Sequence, residues 1–328
     1  MATRSALHSS LFAGACALLL AIAAPAFAQD RMDKPVRIIV GFAPGGTADL
    51  IARVVGDKLK DTIGQPVIVE NRPGAAGRIA ADAVKTAAPD GSTIMVMPIG
   101  PMAVVPHTLK SIPFDPIKDF TAVGLGATFQ FALAAGPGSP AKTWAEFATW
   151  AKANPAKASY ATSAAGSLPH FVGVLLSRDI GVDMVHVAYK GSGAYMNDLI
   201  GGQVPSAIDT VADLSEQYRA GKIRILATTG EKRAPATPEV PTFSELGLKN
   251  VVASGWFGFF APANTPKAVI DTLNRGINKA LTSPDVVERL TKLGMDPATS
   301  TPDEFARIVA SDYAKWGPIV KASGFTAD

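Results

Sequence analysis

Cysteine is nearly absent: the 328 residues contain one, Cys16. A disulfide framework and a thiolate metal cluster are both excluded, and the fold must rest on apolar burial. Histidine is scarce too. His107, His170 and His186 are scattered, with no H-E-x-x-H pair to seat a zinc ion. No cofactor and no metal is expected. Charge of either sign is not in excess, at 31 Lys+Arg against 28 Asp+Glu. That balance gives no electrostatic case for a nucleic-acid partner or an anionic membrane. Beyond the first residues no stretch is long and apolar enough to span a bilayer. There is no Walker loop, no G-x-G-x-x-G fingerprint, no solenoid repeat and no low-complexity tract.

The start of the chain has the pattern of a leader. Arg4 supplies a positive charge, Leu11 to Ala24 is apolar, and Ala26-Phe27-Ala28 has small residues where a signal peptidase needs them. Residues 1–28 are therefore expected to be a signal peptide, cleaved before Gln29, with export to the periplasm. Pro25 and the Ala-x-Ala ending argue against an uncleaved anchor. Ala13-Gly14-Ala15 before Cys16 is a poor lipobox. Loss of Arg4 leaves 30 basic against 28 acidic residues, and none of the remainder is Cys. About 300 residues suffice for a large core and commonly divide into two domains.

The stretch that organises the rest is Val36 to Lys60. Val36, Ile38, Ile39, Val40 and Phe42 form a β-branched apolar run suited to a strand covered on both faces. Pro44, Gly45 and Gly46 end it. Leu50, Ile51, Val54, Val55 and Leu59 then recur at helical spacing, so a helix starts near Thr47. The first N–H groups of that helix lack intrahelical partners and point back into a loop where glycine lets a ligand approach. This is a potential anion site, although many α/β loops carry a Gly pair only to turn. Asp49, in the first turn, is either a structural helix-start acid or an orienting group under a bound ligand.

A strand at Pro66–Glu70, a turn at Asn71–Gly77, a helix through Ala87 and a strand at Ser92–Met97 continue a right-handed parallel α/β order. Gly100 to Phe120 reads as irregular. Thr121 to Ala135 reads as two short extended pieces. The passage into a second domain is placed here, followed by a helix at Trp144–Lys152 and a strand at Ser159–Thr162. Then the opening motif recurs: Ser163, Ala164, Ala165, Gly166 and Ser167 lead into a helix, with Ser167 as N-cap, Pro169 in the first turn and His170 beside it. An ordinary capped helix would look the same. Recurrence raises the case, because open α/β sheets bind ligands at the carboxyl ends of strands. Further on, Tyr189 and Lys190 follow a strand, and Asp209 ends another, where it faces a cleft or caps the next helix. An aromatic strand, Ser254–Ala261, is read as the return crossing. Three helices follow, each starting near Thr-Pro or Ser-Pro.

Taken together, KPVRIIVGFAPGGTADLIAR (34–53), GQPVIVENRPGAAG (64–77), PFDPIKDF (113–120), HVAYKG (186–191), DLIGGQV (198–204), AGKIRILATTGEKR (220–233), PEVPTFSELG (238–247) and WFGFFAPANTP (256–266) occur in one characteristic order. In this the chain resembles the extracytoplasmic solute receptors of the tripartite tricarboxylate transporter type, the Bug proteins. The resemblance implies an α/β, two-lobed periplasmic binding protein, type II-like. Each lobe is a mostly parallel sheet flanked by helices, joined by two crossing strands. Lobe 1 is placed at 29–128 plus 254–328 and lobe 2 at 129–253.

The resemblance also implies a small carboxylate held between the lobes. Ala43, Pro44, Gly45, Gly46, Thr47 and Asp49 lie on one side, and Ser163, Ala164, Ala165, Gly166, Ser167 and His170 face them. Tyr189, Lys190 and Asp209 are weaker transfers. Ala164-Ala165 departs from the family's more glycine-rich second loop. The expected role is binding without chemistry by a monomer that delivers cargo to membrane subunits of that transporter type. The rivals are a ligand sensor for a signalling partner and a hydrolase using Ser167 with His170. No G-x-S-x-G elbow supports the last.

Overall fold

A computed structural model of the chain describes residues 32–327. The expected leader lies outside them. The first elements follow the apolar periodicity: β1 (Val36–Val40), α1 (Thr47–Ile63), β2 (Val67–Asn71), α2 (Arg78–Lys85) and β3 (Thr93–Pro98). β1 lies between β2 and β3, parallel to both, with Val36 opposite Val67 and Arg37 opposite Thr93. Val36, Ile38, Ile39 and Val40 are fully buried or nearly so, as a strand covered on both faces requires.

Residues 100–120 are more ordered than the proline content suggests. Gly100–Val104 forms a π-helical turn and Val105–Thr108 a short helix, α3. Pro101 and Pro106 occupy first-turn positions, where a missing N–H costs nothing, and Met102, Ala103 and Val104 are buried.

The two extended pieces expected over 121–135 are instead one 16-residue strand, β4 (Phe120–Ala135). Gly124 and Gly126 do not break it; they sit at register shifts, where neighbours crowd in. A Cβ at Gly124 would lie 2.7 Å from Asn274 Nδ2, and one at Gly126 would lie 3.0 Å from the Phe259 ring. Glycine here marks close approach, not a turn.

The second half continues with α4 (Trp144–Ala153), β5 (Ser159–Thr162), α5 (Leu168–Ile180), β6 (Val185–Ala188), α6 (Ser192–Ile200), β7 (Ser206–Thr210), α7 (Val211–Arg219) and β8 (Arg224–Thr228). β5 runs parallel to β6 and to β7. The chain returns through β9 (Ser254–Pro262), α8 (Lys267–Leu281), α9 (Pro284–Lys292), β10 (Asp296–Pro297) and α10 (Pro302–Ser323).

β4 belongs to both lobes. Its first part pairs antiparallel with β9, from Phe120 opposite Pro262 to Gln130 opposite Ser254. Its second part pairs antiparallel with β7 and β8. Each lobe therefore carries a parallel triplet, β2-β1-β3 or β7-β5-β6, joined to β4 through antiparallel pairing.

Thr229 fastens the crossing. Fully buried, it donates its N–H to Phe131 O and accepts from Ala253 N through its carbonyl. Its hydroxyl accepts from Phe131 N and donates to Ala253 O.

Register fixes how the lobes face. The carboxyl end of β3, Pro98, lies opposite Phe257, which pairs with Ala127 of β4. The carboxyl end of β7, Thr210, lies opposite Phe131. Only the β4 residues from Ala127 to Phe131, about 13 Å at a strand rise of about 3.3 Å, separate those two ends. Both triplets therefore direct their carboxyl ends at the same crossing segment.

Candidate functional site

The first loop follows β1. Ala43, Pro44, Gly45 and Gly46 are exposed and Thr47 is half-buried. Gly45 has φ +82°, a left-handed conformation that favours glycine, and open space lies where a side chain would be. No side chain caps α1 at Gly46, and Leu50 N donates to Gly46 O at the first turn. The N–H groups of Thr47, Ala48 and Asp49 come before any carbonyl four residues back within the helix.

Asp49 organises this loop from below. It is 2% exposed. It accepts from Gly45 N and Arg53 Nε through Oδ2 and from Asn71 Nδ2 through Oδ1, each at 2.9 Å. Asn71 also donates to Phe42 O. The Arg53 hydrogen bond leads the interactions that bring the Asp49 carboxyl down to about 2. The Gly45 N–H is therefore engaged within the chain, as is that of Gly46, which donates to Ala43 O.

The second loop follows β5. Ala164 and Ala165 are exposed, while Ser163, Gly166 and Ser167 are half-buried. Ser167 occupies the N-cap position of α5 but does not cap it: its hydroxyl donates to Ala164 O at 2.7 Å. Thr162 Oγ1 donates to the same carbonyl. The α5 start is thus left without a side-chain cap, whereas α4, α7 and α10 each have a threonine cap. Uncapped starts occur elsewhere in the chain. α1 and α5, like α2 after residues 72–77, each follow a small-residue loop at the carboxyl end of a strand.

Those two strand–loop–helix units can be set beside known proteins. Residues 51–325 match the family described as tripartite tricarboxylate transporter family receptor. The chain is 36% identical over 304 residues to protein BugT of Bordetella pertussis, covering 92% of this chain and 93% of that one. The chain belongs to this receptor family.

Among solved structures, MatC from Rhodopseudomonas palustris, with bound malate, is 32% identical with TM-score 0.70, over 88% of this chain and 99% of that one. R. palustris Rpa4515 with adipate is 31% identical with TM-score 0.74, over 90% and 98%. The two-lobed architecture is the periplasmic binding protein fold. The family match begins beyond the first loop.

In this receptor the second loop is braced by a column of rings. His170 stacks on His186 with centroids 3.9 Å apart and 11° between planes, and His186 stacks on Tyr160. His186 Nε2 lies 2.7 Å from Thr162 Oγ1, and His170 Nδ1 accepts from Gly166 N at 3.2 Å. That bond needs a neutral His170. Burial lowers the His170 pKa, and burial together with the charge of His170 lowers that of His186 to about 4. Among the described residues no hydrogen bond joins Ser167 to His170; each is committed to backbone. Ser167 and His170 are therefore not hydrogen-bonded as a nucleophile–base pair in this structure.

The weaker transfers lie alongside. Tyr189 N donates to Thr162 O and Gly191 N to Ser163 O, which seats exposed Lys190 beside the second loop. The Tyr189 hydroxyl donates to Asp198 Oδ2 at 2.6 Å, a bond that leads in holding its pKa up at about 12. Asp209 is 3% exposed and does not cap α7; Thr210 does. Burial pushes its carboxyl up to about 6, with the charge of Asp213 adding to the rise.

A cavity of about 840 Å³ lies elsewhere. It is walled by Trp256 of β9, residues 299–300 and Asp312 and Lys315 of α10, and none of the expected site residues lines it. Sequence reasoning missed Asn71, Thr162 and His186. Asn71 sits in a recognisable strand-end turn, but its bond to Asp49 crosses a whole helix and no spacing encodes it.

Proposed function

We propose that this protein is a periplasmic receptor that captures a small organic carboxylate between its lobes and delivers it to the membrane subunits of a tripartite tricarboxylate-type transporter. The lobe boundaries that go with this reading are 29–128 plus 254–328 and 129–253. The observation that carries it is the pair of uncapped helix starts, α1 and α5, which follow β1 and β5, the parallel neighbours of the two strands, β3 and β7, whose carboxyl ends are directed toward residues 127–131 of β4. Backbone N–H groups at a helix start suit an anion and carry no permanent charge that would resist opening. Two such starts suit a ligand with a carboxylate at each end, and the family relatives with malate and adipate are of that chemistry.

In a thermal-shift screen of mono-, di- and tricarboxylates, a dicarboxylate of four to six carbons is expected to raise Tm, confirmed by calorimetric titration. Failure of every acid to do so would overturn the reading. Turnover of a simple ester that disappears in Ser167→Ala would point to a hydrolase instead.

A further inference from the structure

We propose that Phe325 is a positioning residue for the second loop, brought to it on the end of α10. The inference rests on the carboxylate-receptor reading. α10 packs along residues 100–108 and β4, and its far end reaches α5. There Gly324 closes the helix with φ +71°, and Phe325 turns onto the loop.

The Phe325 ring meets His170 edge-on at 5.2 Å between centroids and Phe171 at 6.1 Å. It also lies directly over Gly166, where a Cβ would come within 2.6 Å of the ring. The position is anchored a little further on by Ala327 N donating to Thr108 O at 2.8 Å.

Phe325 therefore presses on the two residues that set the loop. His170 takes the Gly166 N–H, Gly166 holds a left-handed conformation at φ +71°, and together they decide where the α5 start points. The ring does not need to touch the ligand to do this. It holds His170 flat against His186 and closes the space into which the loop would otherwise relax. Glycine at 166 is what permits the contact, so the loop and the segment after α10 are fitted to each other. Because the body of α10 packs largely outside lobe 2, the contact also ties the second loop to the rest of the molecule.

The test compares Phe325→Ala, Phe325→Tyr and a chain ending at Gly324 with the wild type, using adipate and malate as probes. Phe325→Ala and the shortened chain are expected to weaken calorimetric binding about three- to tenfold, the range of a lost aromatic contact. Hydrogen exchange over residues 163–170 should speed up in both. Phe325→Tyr, which keeps the ring, should restore both readouts to within about twofold.

Unchanged exchange and affinity in Phe325→Ala would overturn the proposal, as would a loss that Phe325→Tyr does not rescue. If the wild type binds neither acid nor any other carboxylate, the receptor reading fails while the exchange measurement still decides the role of Phe325.

Discussion

Asp49 directs its charge inward. A carboxylate beneath a proposed anion site looks out of place until its three donors are counted: Gly45 N, Arg53 Nε and Asn71 Nδ2. Their effect is to fix the glycine loop so that the following N–H groups stay aligned. Removing the side chain leaves Gly45 N–H and Asn71 without their acceptor. Asp49→Ala is expected to lower stability by about 1–3 kcal/mol in urea unfolding. It should also weaken carboxylate binding more than Arg53→Ala does, since Arg53 is half exposed and its pair contributes little alone. Equal effects of the two variants on affinity would remove Asp49 from this organising role. The residue itself was readable in the sequence as a first-turn acid. Its partners were not, because Asn71 reaches it from the end of β2.

The second loop shows how an element is set by groups outside its own segment. The small residues 163–167 mark a loop, but its shape depends on His170, His186 and Tyr160 stacked beneath it. Both imidazoles are neutral in this arrangement. Their folded pKa values lie below the ordinary histidine value of 6.5, so the stability they confer is present above that value. It is lost as pH falls from 6.5 toward about 4, the folded value for His186. Asp209 acts in the opposite sense. Its raised pKa makes the folded state gain protons between about 6 and 3.8, so its burial becomes less unfavourable over that range. The check is therefore a comparison of slopes. Urea midpoints measured from pH 7 to pH 4 should fall more steeply in the wild type than in His186→Gln, with Asp209 common to both. Parallel curves would show that the stack does not carry the proton linkage. At this scale the sequence located helices and strands well, because apolar periodicity is a local signal. It misjudged β4, read as two pieces although residues 128–130 stay paired with β9, because that pairing is made by residues far along the chain.

At the scale of the molecule, the two lobes meet through β4 and the return into β9, and Thr229 binds the crossing points together. Thr229→Val keeps the shape and removes the hydroxyl that serves Phe131 N and Ala253 O. It is expected to lower the urea midpoint by an amount equivalent to about 1–3 kcal/mol, the cost of leaving buried polar groups unpaired. It should also broaden the distribution of apo-state sizes in small-angle scattering, and ligand should narrow it again. A variant as stable and as uniform as the wild type would show that the crossing is held by strand pairing alone. By itself the sequence determined an α/β chain with a single cysteine, Cys16, and two strand–loop–helix units, one in each half, whose glycine and small residues favour exposed backbone donors. These follow from alternation, helical spacing and the steric freedom of glycine, all of which act within a few residues. Only the tertiary structure decided which N–H groups remain outward and which are claimed from within. It also decided that Ser167 serves a carbonyl instead of its helix, that Phe325 lies on Gly166, and that one long strand serves both lobes. Those outcomes depend on pairs far apart in the chain, brought together by packing, and no local pattern records them.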